Sequence, residues 1–157
     1  MLSNEYITHL FQYNDWANRR ILVAVKTAEC KLCIQLFSHL LVTEREYYAR
    51  LFGKDSTGFD FMQILTIEEL RSYTLENASL FENLLKGFDD EGLGQITMFR
   101  TSEGIEVSHS FREIFTQVIL HSMNHRGQII TQLRRVGFEP PKLDYIFYCR
   151  ELPNCGR

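Results

Sequence analysis

The residues best equipped for chemistry are two histidines, His121 and His125, in the stretch Leu120-His-Ser-Met-Asn-His-Arg-Gly-Gln128. The periodicity of Ser110 to Val136 predicts one long helix around them. Four-residue spacing then puts both imidazoles on one face, about 40° apart around the axis. That arrangement commonly offers two nitrogens to one metal ion. Gln117, Asn124, Gln128 and Gln132 fall within about 60° of His121. A solvated helix face usually carries Lys, Glu and Arg. A stripe of neutral amides and imidazoles, beside an apolar arc containing Ile114, Phe115, Val118, Ile119, Ile129 and Leu133, suits the lining of a cleft. In an enzyme, Gln117, Asn124 and Gln128 are candidates to position a substrate or a water. The same stripe also fits a polar strip at a bundle edge, with both histidines in ordinary hydrogen bonds. Spacing alone does not decide between the two, and a metal site needs a third ligand. Arg126 lies about 140° from His121, toward the apolar arc, where a structural ion pair is expected.

Of the other histidines, His39 sits in the apolar run Leu36-Phe-Ser-His-Leu-Leu-Val42. It reads either as a satisfied core residue or as the missing ligand. Glu46 follows on its face at i+7 and is a candidate acceptor for an imidazole N–H, about two turns away. Glu44 falls on a different face. His9 reads as an ordinary surface or core histidine, and His109 as a lesser candidate near the start of the fourth helix.

The elements that must position these residues are legible from caps and breakers. Ser3 to Lys26 reads as a first helix with Ser3 as its N-cap. In it, Trp16 is expected as a core anchor, and Asn14 and Asn18 as amides that hydrogen-bond across helices. Leu32 to Phe52 reads as a second helix stopped by Gly53. Gly53 to Leu65 is a loop whose Phe59 and Phe61 fold back onto the body. Thr66 to Lys86 is a third helix opened by the capping box Thr66-Ile-Glu-Glu69. The β-rich segment Ile96 to Ser108 turns at Thr101-Ser-Glu-Gly104 and reads as a hairpin that must lean on the helices. Pro140 and Pro141 follow the fourth helix, and Asp144 to Glu151 forms a short helical tail. The expected fold is all-α in the main: four helices with a hairpin insertion and a C-terminal capping segment, in one domain over residues 1–157.

Composition narrows the classes. The chain has 157 residues, 45% hydrophobic and 24% charged, with net charge −3, which suits a folded domain rather than a disordered one. No basic block marks a nucleic-acid partner. No apolar run approaches a membrane span of about 18 residues, and the N-terminus lacks a signal pattern, so a cytoplasmic protein is expected. Cys30 and Cys33 form a C-x-x-C, but Cys149 and Cys155 are too widely spaced for a zinc ribbon. Free thiols are the plainer reading.

Three regions resemble the DinB-like family of metal-binding four-helix bundles. They are Tyr13-Asn-Asp-Trp-Ala-Asn18, Phe37-Ser-His-Leu-Leu-Val-Thr-Glu44 and, most specifically, His121 and His125 followed by Arg126-Gly-Gln128. The resemblance spans nearly the whole chain and implies metal ligation by His39, His121 and His125. One departure is visible: Asn124 stands where many relatives carry a second, adjacent histidine. The resemblance also implies an antiparallel four-helix bundle, a homodimer and a divalent metal, zinc or nickel, with ferrous iron as an alternative. It points to metal-dependent transfer of a low-molecular-weight thiol to an electrophile. Metal-dependent hydrolysis is the runner-up, with Glu46 as its one candidate base. The other class is a non-catalytic stress-response protein whose metal staples two helices together.

Overall fold

A computed structural model describes residues 3–152; Cys155 lies outside them. The chain is mainly helical with a small two-stranded antiparallel sheet. Helix α1 (Asn4–Ala28) is capped by Ser3, whose Oγ accepts from the Tyr6 amide. Helix α2 (Lys31–Arg50) starts at Cys30, whose Sγ accepts from the Cys33 amide. Helix α3 (Ile67–Leu85) opens on the capping box of Thr66 and Glu69. Strands β1 (Ile96–Arg100) and β2 (Glu106–Ser110) pair in antiparallel register, Met98 opposite Ser108. Helix α4 (Phe111–Arg135) opens on a second capping box, Ser110 with Glu113, and α5 (Tyr145–Glu151) closes the described chain. These spans agree with the sequence reading to within about two residues at each end, the ordinary uncertainty of helix boundaries. Gly53 and Gly104 take the left-handed backbone that ends α2 and turns the hairpin, a region costly for other residues.

Helix α2 packs against α3 and α4, and α1 packs against the same two helices. Two apolar layers result. One gathers Ile21, Val25, Phe37, Leu40, Leu70, Ile129 and Leu133. The other gathers Phe11, Leu51, Phe81, Phe99, Ile114 and Phe115. Between them along all four helices runs a buried polar layer of Asn14, Asn18, Glu44, Thr74, Asn77, Ser122 and Arg126.

Glu44 organises that layer. Its Oε1 accepts from Asn14 Nδ2 (2.7 Å), Asn18 Nδ2 (3.0 Å) and Ser122 Oγ (2.9 Å), and its Oε2 from Asn77 Nδ2 (3.1 Å). Arg126 Nη1 donates to the carbonyl oxygens of Asn14 and Asn18, at 2.5 and 2.8 Å. The two amides therefore bridge a buried acid to a buried base. Burial pushes the Arg126 guanidinium down, and Tyr13 and Glu44 hold it up. The ion pair expected for Arg126 is thus relayed through asparagines rather than direct.

The hairpin leans inward through Phe99 and Thr97, the latter donating to the Arg50 carbonyl at 3.0 Å. Trp16 is not a core anchor. It is half-buried on the seam between α1 and α5, where its indole N–H donates to Glu151 at 2.8 Å and Arg20 lies over its ring. An indole N–H needs an acceptor, which the seam offers and the apolar layers do not. Cys30 and Cys33 are buried free thiols, and burial beside Cys30 pushes the Cys33 thiol up to about 12. Among the described residues no helix is long and apolar enough to cross a membrane.

Candidate metal centre

The structure brings His39 from α2 together with His121 and His125 from α4. One ring nitrogen from each lies within 4.8 Å of the others. The pairing follows from the polar layer: Ser122 and Arg126 each follow a histidine, and their bonds to Glu44 and its asparagines hold α2 and α4 in register. His109 is elsewhere, in β2, where its ring lies 3.6 Å from Glu113. His9 packs against Tyr145 and Tyr148.

Two of the imidazoles are oriented by their second nitrogens. His39 Nδ1 lies 2.9 Å from the Phe61 carbonyl. A carbonyl only accepts, so Nδ1 carries the proton and Nε2 is left with its lone pair. His125 Nδ1 likewise donates to Gln128 Oε1 at 2.9 Å. Metal-bound histidines are typically held in this way, their other N–H given to a carbonyl or carboxylate. The spacing of the α4 pair fits an ion as well. Tetrahedral zinc with nitrogens at about 2.0–2.1 Å sets them about 3.3 Å apart, and His125 Nε2 lies 3.1 Å from His121 Nε2.

The electrostatics keep the two α4 rings neutral. Burial, then His125 and His39, hold His121 down to about 4. Burial and His39 also depress His125, against the opposing bond from Gln128. Neutral imidazoles present lone pairs near pH 7, which is what a divalent ion requires. Among the described residues no carboxylate or thiol joins the group.

The remaining candidates from the sequence separate. Gln128 touches His125 directly. Gln117 and Asn124 are exposed on α4, Gln117 lining a different cleft. Glu46 is buried against Arg50 and Ser56, both of which donate to its Oε1. Burial raises its pKa while Ser56 and Arg50 oppose that shift. Sequence reasoning overlooked the Phe61 carbonyl, because a backbone group at a loop position leaves no side-chain signal.

A cleft of about 310 Å³ opens on His39 and His125, lined also by Leu32, Gln35, Leu36, Met62 and Ile64. A second, of about 380 Å³, lies toward the hairpin and includes Arg50, Thr101, His109, Glu113 and Gln117. Its Tyr47 ring stands 6.4 Å from that of His121.

No curated protein matches the chain. A family model described as the DinB family matches residues 1–152.

Proposed function

This chain belongs to the DinB family, and from that premise we propose that it is a metal-dependent transferase joining a low-molecular-weight thiol to an electrophile. The observation that carries the reading is the three-histidine group opening on a cleft, with no carboxylate or thiol among the described residues to close it. A site with three protein ligands and an open position is the usual form of a catalytic rather than a structural centre. Three neutral ligands also leave the charge of a divalent ion undiminished. The chemistry such an ion supplies when bound is a lowered pKa for an adjacent thiol or water. The chain's own residues do the rest. The Phe61 carbonyl and Gln128 fix the directions of His39 and His125. The apolar walls of the cleft offer a substrate surface to bury beside the histidines.

Hydrolysis is less well supported, because it needs a base beside the water. Glu46 is already engaged by Arg50 and Ser56. The reading assumes one domain built as an antiparallel four-helix bundle, which the packing of α1 and α2 against α3 and α4 supports. Zinc and nickel both suit imidazole ligands.

The test begins with elemental analysis of protein purified without added metal. The metal-loaded protein is then assayed with a panel of cellular thiols and a chromogenic electrophile. Turnover that chelation abolishes and metal restores is the expected result. Bound metal with no turnover from any thiol would leave the ion as a staple between α2 and α4.

A further inference from the structure

Helix α2 presents Leu32, Gln35, Leu36 and His39 at i, i+3, i+4 and i+7, a single face, and all four line the cleft that ends on His39 and His125. The opposite wall is Met62 and Ile64. Three of these apolar side chains stand in water: Met62 is 78% exposed, Ile64 57% and Leu32 46%. Scattered exposed apolar residues are ordinary. Here they converge on one concave surface that also includes His39 and His125, and convergence of that kind marks a binding site.

The rim is held in place at both sides. The Phe61 carbonyl accepts from His39 Nδ1 at 2.9 Å, and the Leu65 amide donates to Ser38 Oγ at 2.9 Å. Ser38 and His39 are neighbours on α2, so adjacent residues pin the loop on either side of Met62 and Ile64. Leu65 itself is buried. The stretch that orients one imidazole through its backbone therefore also supplies the outer wall through its side chains.

Resting on the metal reading above, the geometry points to Leu32, Leu36, Met62 and Ile64 as the residues that select the substrate, which is a small molecule with an uncharged, apolar body and one polar, metal-seeking or reacting end. The lining carries no Lys, Arg, Asp or Glu, so a charged body would lose its hydration there without gaining a partner. Gln35 supplies an amide for one uncharged polar substituent. The volume suits a small molecule, at the lower end of the ligand-pocket range of about 300–1,000 Å³. The few rim side chains are too small a surface for a stable dimer, which needs about 800 Å² per partner. Charged groups line the second cleft instead, in Arg50, His109 and Glu113.

The test uses the zinc-loaded full chain and a series of alkyl hydroxamates, from acetohydroxamate to octanohydroxamate, titrated by calorimetry. The metal-seeking head is constant and only the apolar tail grows. Affinity is expected to rise up to about fourfold per added methylene until the cleft is filled. Met62→Ser and Ile64→Ser should flatten that rise while leaving zinc uptake, melting and acetohydroxamate binding unchanged. Val23→Ser, at an exposed apolar site outside the cleft lining, should change nothing. A flat series in the wild type with acetohydroxamate still bound overturns the substrate assignment and spares the metal reading. An unaltered slope in both rim variants also overturns it, as does a rim variant that turns a dimer into a monomer without changing the slope. A protein that takes up no zinc overturns the metal reading and this inference with it.

Discussion

Burial and two neighbouring imidazoles hold His121 near 4, against 6.5 for the free side chain. That difference links stability to pH. In metal-free protein the unfolded chain protonates this ring as pH falls through 6.5, and the folded chain only near 4. Between those values the unfolded state binds more protons, so stability falls as pH falls and levels off below the window. His125 acts in the same direction. Urea midpoints of chelator-treated protein should drop steadily from pH 7 to 4.5, and His121→Gln should show a shallower drop. Equal slopes in the two proteins would mean that another group titrates. Gln128 makes a second prediction at this scale. Its Oε1 takes the His125 Nδ1 proton, and removing such a partner typically costs 10–100-fold in metal affinity. Zinc competition assays should find Gln128→Ala weaker by about tenfold. The exposed Asn124→Ala should match the wild type, despite its place in the position where relatives often carry histidine.

The helices owe their alignment to Glu44, which takes four hydrogen bonds from side chains on α1, α3 and α4. Truncating it strands three amides, a hydroxyl and the buried Arg126. Breaking a buried charge network from one side costs about 3–5 kcal/mol. Glu44→Ala should therefore lower Tm by about 10 °C, at about 2–4 °C per kcal/mol for a chain of this size. Ser122→Ala removes one hydrogen bond, about 1 kcal/mol, and should lower Tm by only a few degrees. Calorimetry separates the two, and a Glu44→Ala loss no larger than that of Ser122→Ala would contradict the network. Helix-level features were readable in advance because they are local: caps, breakers and the i, i+4 spacing of His121 and His125. The role of Glu44 was not, since periodicity places it off the histidine face but says nothing of partners on three other helices. Glu46 illustrates the converse. Its alignment with His39 suggested a contact, but Arg50 lies one turn along the same helix and Ser56 returns in the loop. Both reach the carboxylate first.

At the scale of the whole molecule, the three histidines join segments more than eighty residues apart in sequence. Local spacing displayed only the α4 pair. His39 was ambiguous on its own, since a half-buried histidine among leucines fits a core as well as a ligand, and it was the resemblance across the chain that singled it out. The packing of α2 on α4 sets its distance to the other two. An ion that binds this arrangement binds the folded state, because an unfolded chain does not hold the nitrogens within 4.8 Å of each other. Linkage then gives about 2.7 kcal/mol of stabilisation when free metal exceeds its Kd a hundredfold. For a chain of this length that corresponds to a rise in Tm of roughly 5–10 °C. Zinc added to chelator-treated protein should produce that rise, and excess chelator should reverse it. His39→Ala and His121→Ala should each abolish most of it, since either leaves only two ligands. His109→Ala should keep it in full, because His109 sits on the hairpin beside Glu113. A shift that survives both ligand substitutions would place the ion elsewhere in the molecule. One that survives only His39→Ala would leave α2 outside the site and reduce the centre to the α4 pair.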